Sequence, residues 1–160
     1  MNKCMTGDTD FRRLAPDDSA LEQALGVMRV AFASMEGRID PPSSLHDLTV
    51  DGLSQTAEAA EVWVAGNPVA GTVILTPKAR VLYVGKLAVR DPGTGLGRAL
   101  MALAEERAVA LGFEWLELES RVELVEVHAV FKRLGFREIA RTTHKGFTRP
   151  TGILFRKSVR

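Results

Sequence analysis

One stretch constrains the fold more than any other: Val81-Leu82-Tyr83-Val84-Gly85-Lys86-Leu87-Ala88-Val89, then Arg90-Asp91-Pro92-Gly93-Thr94-Gly95-Leu96-Gly97-Arg98-Ala99-Leu100. Its first nine residues are almost all apolar or β-branched, which is the pattern of a strand in the middle of a sheet. Pro92 cannot donate to a sheet ladder, so the strand stops before it. Glycines at 93, 95 and 97 let the backbone pass close to a bulky group. From Leu96 the apolar residues recur at Leu96, Ala99, Leu100, Leu103 and Ala104, which is helical spacing. A strand that enters a helix through glycines points free N–H groups and the positive helix end at one spot, a spot that suits an anion, usually a phosphate.

Three phosphate-binding patterns compete for this turn. A P-loop requires a lysine and a hydroxyl after the last glycine, and here Arg98 and Ala99 follow Gly97. A dinucleotide fingerprint requires Gly-x-Gly-x-x-Gly early in the chain; this turn reads Gly-x-Gly-x-Gly and lies past mid-chain. The third pattern matches. Leu87-Ala88-Val89, the glycine turn and Leu96-Gly97-Arg98-Ala99-Leu100 resemble the acetyl-coenzyme-A motif of the Gcn5-related N-acetyltransferase (GNAT) family. The second half of that family follows in order: a strand at Trp115-Leu116-Glu117-Leu118-Glu119, a short helix, and Phe131-Lys132-Arg133-Leu134-Gly135-Phe136, which is similar to the family's Tyr-x-x-x-Gly-Phe. The resemblance spans roughly residues 10 to 160 and is specific over 85 to 136.

The resemblance implies an α/β (α+β) GNAT fold, with a mixed central sheet of about six to seven strands, splayed in the middle and flanked by about four helices. It also implies acetyl-coenzyme A as co-substrate, with no metal. Backbone groups of Leu87, Ala88 and Val89 would hold the pantetheine arm and thioester. The amides of Gly93, Thr94, Gly95, Leu96, Gly97 and Arg98 would hold the pyrophosphate, with Pro92, Ala99 and Phe131 beside the cofactor.

Length and composition agree with one domain over residues 1–160, with residues 1–9 as a loose end. An apolar content of 46% and a charged content of 26% are those of a soluble globular chain without a signal peptide or membrane span, expected in the cytoplasm. The lone Cys4 excludes an internal disulfide, and nothing near it in sequence would activate it as a nucleophile. The net charge of +1 is unevenly spread: acids outnumber bases up to residue 60, and bases outnumber acids beyond it. A basic second half suits a phosphate-rich cofactor and an acidic first part a cationic acceptor, and the balance does not call for nucleic acid.

In chain order, Phe11–Leu14 reads as a first strand. Asp17 or Asp18 caps a helix with an apolar face of Leu21, Leu25, Met28 and Phe32. Residues 37–44 form a proline-rich loop, and a second helix runs from about Leu45 to Ala59. Glu61–Ala65 and Val69–Thr76 make a hairpin before the central strand. The glycine helix ends at Gly112, Phe113–Glu119 is a strand, and Glu123–Leu134 is a helix with Leu124, Val127, Phe131 and Leu134 on one face. Phe136–Arg141 and Gly152–Lys157 are the last strands.

The sequence departs from the family pattern in three places. Pro92 replaces the usual Arg or Gln of a turn that is also about two residues short, which removes one N–H. Phe131 replaces the tyrosine that protonates the thiolate, and Leu124 and Val127 occupy the positions of an asparagine. Candidates to supply the missing chemistry are His128, three residues before Phe131, then Glu119, which shares a strand face with Glu117, and Tyr83 on the central strand. Arg38, Asp40 and His46 in the loop before the second helix, and His144 before the last strand, are candidates for the acceptor pocket, with Asp40 able to pair with a cationic amine. The expected activity is acetyl transfer from acetyl-coenzyme A to a primary amine of a small molecule or protein. A non-catalytic module that binds acetyl-coenzyme A or a partner is the alternative that Pro92 and Phe131 keep open. A homodimer and a small-molecule or peptide amine are the expected partners, with no nucleic acid and no membrane.

Overall fold

The computed structural model describes residues 10–160 in full and, before them, the main chain of 3–6 and 9. The loose end expected at 1–9 therefore falls partly outside the described residues, as does the Cys4 side chain; within it, Lys3–Thr6 pairs as a short edge strand. The elements are β1 (Lys3–Thr6), β2 (Thr9–Leu14), α1 (Leu21–Ala33), α2 (Val50–Ala59), β3 (Glu61–Ala65), β4 (Gly71–Lys78), β5 (Val81–Val89), α3 (Leu96–Leu111), β6 (Trp115–Arg121), α4 (Val125–Arg133), β7 (Arg137–Thr142) and β8 (Gly152–Ser158). They build one mixed sheet, ordered β1-β2-β3-β4-β5-β6-β8-β7. Every neighbouring pair is antiparallel except β5 and β6.

Alternation along the strands divides the core between the two faces of the sheet. Leu82, Val84, Leu116 and Leu118 pack with Leu100, Leu103 and Ala104 of α3. Val62, Val64, Ile74 and Ala88 pack on the other face with Leu21, Leu25, Met28 and Leu53 of α1 and α2. Glu61 is the exception in β3, a carboxylate buried to 5% exposure. Arg107 of α3 grips it with two hydrogen bonds of 2.9 and 2.7 Å, and Trp63 Nε1 donates a third at 2.8 Å. Burial alone would raise its pKa; the Arg107 and Trp63 hydrogen bonds and the Arg107 and Arg13 charges overcome this and hold it below the usual carboxylate range. This bidentate pair fastens α3 to the sheet.

Two helices differ from the sequence reading. The second does not run unbroken from Leu45: Ser44–Asp47 is a separate 3₁₀ turn, and α2 starts at Val50. Thr49 is extended (φ −118°, ψ 168°), and its Oγ1 accepts from the Gly52 amide at 3.0 Å, an N-cap that competes with a continuous helix. In α4 the expected apolar face is present, but His128, at 8% exposure, is the most buried residue of the helix. The tight β6–α4 connection carries the helix back over the strand end, where the imidazole meets the Arg121 carbonyl and the Phe155 ring.

Candidate active site

The central strands part where the site lies. Parallel pairing between β5 and β6 covers only Val81–Tyr83 against Trp115–Glu117. Beyond Tyr83, β5 is held on its β4 side alone and β6 on its β8 side alone. A bulge reshapes the free part of β5: Thr72 faces Ala88 and Ile74 faces Gly85, so Lys86 and Leu87 together oppose Val73. Lys86 takes a φ of 51°, uncommon for a side chain other than glycine. The opened strand edge at Leu87, Ala88 and Val89 leaves main-chain groups for an extended ligand to pair with.

The glycine turn opens at the same end. Gly93 and Gly95 have φ of 85° and 82°, and Gly95 caps α3 without a side chain. Thr94 Oγ1 accepts from the Leu96 amide at 3.4 Å, and the Ala99 amide bonds to the Gly95 carbonyl at 3.1 Å. The Gly97 and Arg98 amides between them belong to the helix turn that has no internal partner. No atom lies within 4 Å of where a Cβ at Gly93 or Gly95 would stand, and the first turn of α3 holds no acid. A cavity of about 340 Å³, lined by Ala70, Asp91, Thr94, Gly95 and Leu96, faces this turn. Asp91, the acid in that lining, is paired with Arg90 at 3.2 Å. Open amides, positive-φ glycines and a helix whose first turn holds no acid, with Asp91 offset by Arg90, form a set that fits a pyrophosphate.

The catalytic candidates fall into distinct environments. Tyr83 stands where the strands divide, in register with Glu117, with Lys78 Nζ 3.9 Å from its ring centre. Burial first, then the Glu119 and Glu117 charges, push its hydroxyl up to about 12, against a hydrogen bond that the Glu119 main-chain N–H donates to it. Glu117 is engaged by Arg156, with hydrogen bonds of 3.1 and 2.8 Å. Glu119 is exposed, with no ion pair among the described residues. Its Oε1 lies 2.7 Å from where a Cβ at Gly152 would sit, so this carboxylate rests on bare backbone. His128 Nε2 lies 2.8 Å from the Arg121 carbonyl oxygen and donates to it; the ring packs at 5.5 Å on Phe155. The imidazole is thus buried and engaged rather than open to solvent. Phe131 packs between Phe136 and Phe155, at 6.1 and 5.6 Å, as an apolar side chain in an apolar setting.

The acceptor candidates gather in the loop between α1 and α2, which is fastened across β6 and α4. Arg38 pairs with Glu126, and Asp40 pairs with Arg149 at 3.2 Å. The Asp40 amide donates to Glu123 Oε2 at 3.2 Å, and the Arg121 guanidinium donates to the Pro41 and Pro42 carbonyls at 2.5 and 3.2 Å. The Asp40 carboxylate thus already has a cation, so its place is in a roof over the cleft. His46 lies 3.6 Å from Glu36, and both line a groove between this loop and the end of α1. His144 bonds Thr151 through its amide, at 2.8 Å, and through its ring. Sequence reasoning passed over Lys86, Arg121, Glu123 and Arg149; the available signal was Lys86, a charge inside an otherwise apolar strand.

The described residues hold no group of His, Cys, Asp and Glu that could bind a metal, and no helix among them is long and apolar enough to cross a membrane. No curated protein sequence matches the chain. Solved structures with the same fold include the PaiA N-acetyltransferase from Thermoplasma acidophilum in complex with coenzyme A (TM-score 0.76, 15% identity, 96% of this chain and 99% of that one). A GNAT family acetyltransferase from Elizabethkingia anophelis with acetyl-CoA bound gives a TM-score of 0.68 at 15% identity, over 96% of this chain and 99% of that one. One described as an acetyltransferase of the GNAT family, from Desulfovibrio desulfuricans, gives 0.71 at 22% identity, over 95% and 99%. The family model described as the acetyltransferase (GNAT) family matches residues 30–136. With a splayed sheet, a glycine-rich turn into α3 and that match over most of its length, the chain belongs to the GNAT acetyltransferase family.

Proposed function

We propose that this acetyltransferase binds acetyl-coenzyme A between β5 and β6 and passes the acetyl group directly to a primary amine of a small molecule or protein. The observation that carries the reading is the coincidence of two features at one end of the sheet: strand pairing stops at Tyr83 and Glu117, and the glycine turn opens beside the freed strand. The pyrophosphate sits on the amides of Gly93 to Arg98. The pantetheine arm pairs with Leu87, Ala88 and Val89, with Pro92, Ala99 and Phe131 flanking the cofactor. Pro92 supplies no amide to this turn.

In the transfer step the amine nitrogen attacks the thioester carbonyl carbon, a C–N bond forms, and the C–S bond breaks with its electron pair leaving on sulfur. The amine must give up a proton, and Glu119, exposed and without a counter-cation, is the base, directly or through water. A strand N–H near Leu87 or Ala88 stabilises the carbonyl oxygen as charge builds on it. Tyr83, the chain's one tyrosine, is a phenol at neutral pH and can donate a proton, whereas Phe131 cannot. His128, held by the Arg121 carbonyl, positions the end of β6. Arg38 and Asp40 act through the roof they build, and His46 and His144 border it. A cytoplasmic location and pairing of two copies along the exposed edge of β7 accompany this reading.

The test is calorimetric titration with acetyl-coenzyme A and with coenzyme A, followed by an amine panel with thiol detection. Binding with amine-dependent thiol release is the expected result. Binding without turnover on any amine would leave a non-catalytic module, and no binding would remove the cofactor site.

A further inference from the structure

We infer that Lys86 and Arg121 form an anion subsite in the acceptor cleft, and that the amine acetylated here carries a carboxylate, as a free amino acid does. This rests on the acetyltransferase reading and adds the substrate class to it.

Both cations reach the same short piece of the roof. Lys86 Nζ donates to Ser44 Oγ at 3.2 Å, and Arg121 donates to the carbonyls of Pro41 and Pro42. They come from opposite walls: Lys86 from the bulge in β5, Arg121 from the last residue of β6. Neither has a carboxylate within ion-pair distance among the described residues, whereas Arg38, Arg107, Arg149 and Arg156 all do. Burial first, then the Arg121 charge, hold the Lys86 ammonium below the usual lysine range. Two half-buried like charges with only neutral partners cost free energy that a bound anion relieves. The Lys86 backbone is itself held at a φ of 51°, a conformation that persists only where the surroundings impose it. Arg121 has five donor hydrogens, and its two carbonyl partners leave others for a ligand.

The order of charges selects the ligand. Glu119 and Arg121 lie two apart on β6 and so share a face, separated by about 7 Å along the strand. An α-amino acid, with ammonium and carboxylate on the same carbon and a hydrogen bond at each end, covers that span. Its amine then meets the base, and its carboxylate meets the cations. A phosphate would bring a second negative charge towards Glu119 and Glu117, so a carboxylate is the better match.

The experiment compares the twenty amino acids with their carboxamides, using acetyl-coenzyme A and thiol detection, on the parent and on Lys86→Met and Lys86→Arg. Each compound is also titrated calorimetrically into the coenzyme-A complex. The expected result is at least one acid whose kcat/KM exceeds that of its amide by about tenfold or more, a margin typical of a charge-assisted hydrogen bond. Lys86→Met should bring that acid down towards its amide, mainly through KM, and Lys86→Arg should restore part of the difference. Equal use of acids and amides, or a preference that survives Lys86→Met, overturns the subsite and leaves the acetyltransferase reading standing. The subsite is likewise overturned if Lys86→Met weakens acetyl-coenzyme A binding as much as it lowers turnover, because the cations then serve the cofactor. If no compound releases thiol although the cofactor binds, the acetyltransferase reading passes to the wider amine panel. The subsite is then judged by heat alone: acids bound over amides and lost in Lys86→Met sustain it, and no difference ends it.

Discussion

The two walls of the cleft are made in different ways. The wall proposed to hold the cofactor is one unbroken run of chain, β5, the glycine turn and α3, and the groups it offers are main-chain amides. The acceptor wall is assembled from far apart in sequence: Arg38 meets Glu126 across 88 residues, Arg149 meets Asp40 across 109, and Arg121 meets Pro41 across 80. The first depends on backbone conformation, which local sequence dictates. The second depends on side chains that meet only after the sheet has formed. Substitutions should therefore act differently on the two walls: all-or-none on the first, graded on the second.

The largest effect should come from Gly95→Glu. Nothing lies within 4 Å of a Cβ there, so the added carboxylate displaces no protein atom and points into the anion site. At a φ of 82° the new side chain costs about 1–2 kcal/mol of backbone strain. The larger loss is repulsion of the pyrophosphate, and acetyl-coenzyme A affinity should fall by about a thousandfold or more while the far-UV spectrum stays that of the parent. Unchanged affinity would place the cofactor elsewhere and dissolve the distinction between the walls.

Next is Glu119, the one group of the acceptor wall argued to touch the reacting amine. Glu119→Gln should lower kcat by about a hundredfold with little change in acetyl-coenzyme A binding, the range for a general base. Gly152→Ala tests the same group by geometry alone. A Cβ there would stand 2.7 Å from Glu119 Oε1 and 2.5 Å from Thr142 Oγ1, so the carboxylate must move while every polar group is retained. The expected cost is about tenfold in kcat, from a base displaced by less than a side chain's length. Full activity in both variants would assign the proton to another group, with Tyr83→Phe as the next variant.

The same contrast explains what could be read from the sequence. The strand at Val81–Val89, the glycine turn, the stop at Gly112 and the order of elements follow from local pattern and were visible. So was the pairing of faces that puts Glu117 and Glu119 together, because strand alternation fixes it. The break between Ser44–Asp47 and α2 was also encoded, in Thr49 three residues before Gly52, but the apolar spacing through Leu45, Leu48 and Leu53 masked it. His128 and Asp40 were recognisable as chemically able but could not be placed. The partner of each is a group 7 or 109 residues away, and only the tertiary fold shows that the imidazole is tied to a carbonyl and the carboxylate to an arginine. Lys86 stands out as the one charge in the apolar run 81–89, but neither it nor Arg121 could be given a role, because a cation without an acid partner cannot be told from a solvated one until its surroundings are known.

A third prediction concerns stability. The cofactor wall is locked to the sheet by the buried Glu61–Arg107 pair, whereas the pairs of the acceptor roof are exposed. Glu61→Gln should destabilise the fold by about 2 kcal/mol near neutral pH, because Arg107 loses its charged partner in a buried place. The folded-state pKa of Glu61 is below its ordinary value of 4.5, so its contribution is fully present above that pH and is lost as pH falls through the lower, folded value. The stability gap between parent and Glu61→Gln, measured by urea unfolding, should therefore be constant from about pH 7 to about pH 5 and should narrow steadily below about pH 4.5. A gap that widened in acid would mean the carboxyl is protonated in the folded protein.

The smallest effect should come from loosening the roof. Arg149 and Asp40 are 49% and 66% exposed, and a pair of that kind couples by less than about 1 kcal/mol. Asp40→Asn or Arg149→Met should therefore leave the melting temperature nearly unchanged. Each variant still frees one of several links that hold residues 38–44 across β6, and the acceptor must then order that loop on binding. The expected result is a rise of about threefold in the acceptor KM, with kcat and the acetyl-coenzyme A KM near those of the parent. The link is an exposed ion pair, so raising the salt to about 0.5 M should reproduce part of the rise in the parent and little further change in the variants. If instead Asp40→Asn abolished activity, the carboxylate would be gripping the amine itself, and Arg149 would be its counter-ion only in the empty cleft. A double variant decides between the two: additive, small KM changes belong to a roof, and a loss of kcat that Arg149→Met cannot mimic belongs to a substrate contact.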